Sequence, residues 1–144
     1  MGYNDDVLLW SREQAELLRS GQFSKLDIEH LADEIEDVGK SEKRELASRM
    51  AVLLAHLLKW QYQPSRRGRS WQTTIRTQRA GIAAAIEDTP SLKAVLLDTK
   101  WARTTWADAV DQATREADLD IDLGDTCPWS FDEVLTNQWY PTGD

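Results

Sequence analysis

One run of the chain limits the fold more than any other. Leu46, Met50, Leu53, Leu57 and Trp60 recur at alternating spacings of four and three, the seam of a helix packed in a bundle. Ala47, Ala51, Leu54, Ala55 and Leu58 carry the apolar surface nearly round the cylinder. A helix that is apolar on most sides must be enclosed by others. The segment is therefore expected at the centre of an all-α, up-and-down bundle of five to six helices, with all 144 residues in a single domain.

The remaining helices follow from periodicity and end signals. Ser11 and Gln14 have capping-box spacing, so a first helix is expected to run from there to about Arg19, with Gly21 as its stop. Asp27 is the natural cap for a second helix carrying Ile28, Leu31, Ile35 and Val38, and Gly39 is expected to end it. Ser41 and Glu42 then open the central helix. Residues 63–69, with Pro64 and Gly68, predict a turn. A fourth helix from about Ser70 carries Trp71, Ile75, Ile82 and Ile86, with Gln78 intruding on the seam and Gly81 weakening it. Thr89 and Pro90 start a fifth helix, expected over 91–117 and long or kinked midway. Ser130 and Glu133 form a further capping box that opens a short last helix. No internal repeat and no strand pattern is present.

Charge is spread unevenly. The chain carries −8 overall, yet residues 46–86 contain no Asp or Glu and seven cations, leaving −15 on the remainder. Such a balance disfavours indiscriminate binding to nucleic acid or anionic lipid. No apolar run is long enough to span a bilayer, and a lone cysteine, Cys127, with an acidic beginning leads to the expectation of a cytoplasmic protein without membrane association. Cys127 has no neighbouring His and reads as a structural thiol.

Chemistry could reside in three places. Glu45, Arg49, His56 and Lys59 fall on one strip of the central helix; His56 could act as a base, but a histidine in so apolar a stretch reads first as a hydrogen-bonded core residue. His30 has Asp33, Glu34 and Asp37 at metal-compatible spacings, yet His30, Asp33 and Asp37 lie opposite the apolar stripe and read as a solvated face, so no metal site is expected. The basic turn with Lys59, Arg66, Arg67, Arg69 and Trp71, extended by Arg76 and Arg79, interleaves cations and aromatics as phosphate and nucleic-acid binders do. Its other reading is internal pairing with the acidic helices. Gln78, Arg76 and Arg79 could also form a polar group facing the central helix near His56.

Three runs, 31–36 before Gly39, the Leu54-Ala55-His56-Leu57-Leu58-Lys59-Trp60-Gln61-Tyr62-Gln63-Pro64 stretch, and Arg69-Ser70-Trp71 with Ile75 and Arg79, resemble the bacterial family called domain of unknown function twenty-nine, abundant in cyanobacteria. Leu9-Trp10 and Cys127-Pro128-Trp129 extend the resemblance over nearly the whole chain. It implies an all-helical fold and no established activity, so no catalytic residue is carried over. His56, Lys59, Arg69 and Trp71 match the family pattern, whereas His30 stands where that pattern commonly has Asn.

No nucleophile and base pair, Gly-rich phosphate loop or redox Cys pair is legible. The leading expectation is a non-enzymatic interaction module without cofactor, acting through a protein partner or as a homodimer. Nucleic-acid or phosphate-ligand binding through the basic turn is the alternative, with a candidate binding set of Arg49, His56, Lys59, Arg66, Arg67, Arg69, Trp71, Arg76 and Arg79. A small hydrolase or metal-dependent enzyme centred on His56, with Glu45 and Glu34 nearby, is the third.

Overall fold

A computed structural model describes residues 2–142. The fold is all-α, with no strand among the described residues: α1 (Val7–Arg19), a 3-10 turn (Phe23–Lys25), α2 (Ile28–Tyr62), a second 3-10 turn (Pro64–Arg66), α3 (Arg69–Asp88), α4 (Leu92–Val95), α5 (Thr99–Ala117) and α6 (Phe131–Val134). Among the described residues no helix is long and apolar enough to cross a membrane. The chain divides into two compact units, Met1–Glu42 and Lys43–Asp144.

The second unit is a helical bundle with a closed core. Its centre is the later part of α2, where Leu46, Met50, Leu53, Leu54, Leu57 and Leu58 are buried, as the seam predicts. Each such side chain contributes about 1.5–3 kcal/mol on leaving water. Ile75 and Ile82 of α3 join the same cluster, as do Trp106, Ala109 and Ala113 of α5 and Val134 of α6. The segment after α5 wraps over it: Trp129 meets Trp106 edge-on at 5.9 Å and Trp139 at 5.7 Å. The capping box at Ser130 and Glu133 opens α6 as expected.

The first unit pairs α1 with the beginning of α2. Trp10 is buried there, its indole N–H donating to Asp27 Oδ2 at 2.9 Å. Gln14 Oε1 accepts from the Asp27 amide at 2.8 Å. Between the helices Gly21 has φ +74° and the Gln22 amide bonds back to the Leu17 carbonyl, the left-handed stop that glycine permits.

Four expectations need correction. Helix α1 starts at Val7 on Asp6, whose carboxylate accepts from the Leu9 amide, because that cap lies a turn before Ser11; Gln14 is spent on Asp27 instead. Gly39 does not end a helix, and α2 runs through it from Ile28 to Tyr62. Gly39 is not in the left-handed region that a stop requires, so it costs only the ~1 kcal/mol of a mid-helix glycine. The expected helix over 91–117 is broken rather than kinked, because Asp98 accepts from the Lys100 and Trp101 amides and caps α5 afresh. The Ile28, Ile35 and Val38 stripe lies in the open, and the opposite face of α2, bearing His30 and Glu34, is the one that meets Tyr3 and Trp10.

Candidate functional site

The cations of the basic turn divide between buried and exposed positions. Lys59 is buried on the Ala51 and Ala55 side of α2, with its ammonium 3.3 Å from Glu116 of α5 and 5.5 Å from the centre of the Trp71 ring. Arg67 folds back, donating from Nε to the Trp60 carbonyl at 2.6 Å with its guanidinium over the Trp60 ring. Arg66 and Arg69 are exposed. Of the interleaved cations, one is thus internally paired with an acid, as the second reading of this stretch had it.

His56 is partly buried, and its Nδ1 lies 2.9 Å from the Val52 carbonyl, so the neutral ring donates along its own helix and keeps Nε2 as an acceptor. Burial lowers its pKa below the ordinary histidine value, partly opposed by that hydrogen bond, and the Lys59 charge pushes the same way as burial. Arg49 pairs with Glu45 at 3.6 Å and reaches Gln78 of α3 at 3.4 Å. The guanidinium lies over Gly81, where a Cβ would sit 2.5 Å from Nη1, so the glycine provides the space. Gln78 therefore serves Arg49 rather than joining Arg76 and Arg79 in the expected group.

His30 stacks on Tyr3 with ring centres 4.2 Å apart, and its Nδ1 lies 2.8 Å from Asp27 Oδ2. The His30 hydrogen bond holds the Asp27 carboxyl below its usual range, although partial desolvation opposes it. Among the described residues no group of three or more His, Cys, Asp or Glu is arranged to hold a metal ion. Burial pushes the Cys127 thiol up to about 11, leaving little thiolate at neutral pH.

Arg79 is the site residue whose role the sequence hid. It is 4% exposed, donating from Nε to the Val134 carbonyl at 2.8 Å and from Nη2 to the Trp139 carbonyl at 2.6 Å. Burial lowers its pKa, and the nearby Tyr140 acts in the opposite sense. The signal was available: Ile75, Arg79, Ile82 and Ile86 share spacings of four, three and four, so Arg79 occupies a seam position of α3. Beside it opens a cleft of about 680 Å³ between α3 and the segment after α6. Arg76, Gln72, Asn137, Gln138 and Tyr140 give it polar walls.

In comparisons with known proteins, the family model described as domain of unknown function DUF29 matches residues 3–140. No curated protein and no solved structure matches the chain. The match takes in α1 through α6, including the Lys59 to Trp71 turn and the Trp129 segment. The chain belongs to the DUF29 family.

Proposed function

We propose that the chain is a helical interaction module without a reaction of its own, and that it docks a second copy of itself through the beginning of α2. The observation that carries this reading is the stripe itself. Ile28, Ile35 and Val38 are 69%, 72% and 65% exposed, while Leu31 between them is half-buried. They repeat at three and four, the spacing that packs helix on helix, and large apolar side chains in that register lose stability when left wet.

A second copy fits for two reasons. The stripe is self-complementary about a two-fold axis, since an antiparallel partner sets Ile28 against Val38 and Leu31 against Ile35. Antiparallel pairing also carries Lys40 of each copy to the Asp27 and Glu29 end of the other.

Sedimentation equilibrium tests the reading. The wild-type chain is expected to be a dimer at micromolar concentration, and Ile35→Glu, which sets a charge at the centre of the pairing, is expected to weaken association roughly a hundredfold with helical content retained. A wild-type monomer, or a dimer that Ile35→Glu leaves intact, overturns it; in the first case a stripe kept for a different protein becomes the competing account.

A further inference from the structure

We propose that the cleft between α3 and the segment after α6 is a binding site for the phosphate group of a small phosphomonoester, held by Arg76 and Arg79. The cleft is independent of the dimer stripe, which lies in the other unit.

The charge balance of the cleft is the first argument. The protein carries 25 acidic residues against 17 basic ones, yet the residues around this cleft include two arginines and no carboxylate. The grooves beside α5 differ: the one shared with α2 sets Asp108 and Asp111 beside its cations, and the other sets Asp98 beside Arg103. A guanidinium as buried as Arg79 keeps its charge at all ordinary pH and costs free energy without an anion nearby.

The second argument is donor accounting. A guanidinium has five N–H donors. Arg79 engages one at Nε and one at Nη2, both with neutral carbonyls, and among the described residues no acid pairs with it. Three donors therefore remain. Arg76 lies one turn earlier on α3, where residues three apart are neighbours, and it is exposed and unpaired with any described carboxylate. Two guanidinium charges match the dianion of a phosphomonoester better than a single carboxylate.

The third argument concerns the rest of the cleft. Ile75, Ala80, Ala83 and Leu135 make an apolar wall beside the arginines, which suits the organic part of an ester rather than a hydrated free ion. Gln138, which also lines the cleft, has φ +69°, a left-handed backbone conformation that a non-glycine residue adopts only at a cost in strain.

The test is isothermal titration of the intact chain with phenyl phosphate, inorganic phosphate and acetate, with amide NMR to locate the contact. Phenyl phosphate is expected to bind saturably, tighter than phosphate, with acetate weakest, and to shift resonances of α3 and of residues 135–140. Arg76→Gln, on an exposed position, is expected to weaken binding at least tenfold with unchanged thermal stability, and Arg79→Lys, which keeps the charge without the planar fork, is expected to weaken it as well. Absence of saturable binding, shifts confined to Arg66, Arg67 and Arg69, acetate binding tighter than phosphate, or an Arg76→Gln variant that binds like wild type overturns the proposal.

Discussion

At the scale of single residues, buried polar side-chain atoms are held by specific partners, and among the described residues Thr105 Oγ1 is the exception. Its side chain is 1% exposed in α5 and Oγ1 has no hydrogen-bond partner. A buried hydroxyl left without a partner carries the full cost of losing water. Thr105→Val exchanges it for a methyl of nearly the same shape and keeps the β-branch, so we expect it to stabilise the fold by about 1 kcal/mol, read from urea denaturation midpoints. Lys59 shows the opposite arrangement, a charge that the fold encloses beside an acid, while Arg79 is enclosed with two of its donors on carbonyls. Their partners could not be assigned from sequence. Both stand among cations that look like one basic surface, and only the approach of Glu116 to one and of the Val134 and Trp139 carbonyls to the other separates them. The core leucines were legible because apolar residues run nearly round that part of the helix, whereas the enclosure of a cation depends on partners 55 or more residues away.

At the scale of elements, capping residues decide where helices begin, and glycine decides less than its reputation suggests. Asp6, Asp98 and Ser130 each accept amide hydrogen bonds at a helix start. Ser130 was identified from its box, while Asp98 was passed over because an apolar periodicity continues across it. Gly21 terminates α1 in the left-handed conformation, and Gly39 sits inside α2 in an ordinary helical one. The sequence signal is the same at both, and the tertiary surroundings differ. Because a Cβ at Gly39 would meet nothing within 4 Å, Gly39→Ala is expected to raise stability by about 0.5–1 kcal/mol. The measurement is thermal unfolding in the Ile35→Glu background, which keeps association out of the comparison; were Gly39 a true stop, alanine would destabilise instead.

At the scale of the whole molecule, one helix serves two different environments. Residues 46–59 of α2 are enclosed by α3, α5 and α6, while Ile28, Ile35 and Val38 of the same helix face water. The all-α class and the central helix were legible because their period is local. The exposure of the early stripe was not, since periodicity marks which residues share a face but not whether a neighbour of the same chain covers it. In a unit with only Trp10 and Gln14 buried along α1, an uncovered stripe leaves little to hold the helices, and small helical units of that kind are commonly completed by association.

Amide hydrogen exchange followed over a hundredfold range of protein concentration tests this account most directly. Protection of residues 46–59 is expected to be high and independent of concentration, and protection of residues 28–38 to rise with it as copies pair. Fast exchange of residues 28–38 at every concentration, or protection there that does not change with dilution, would contradict the account.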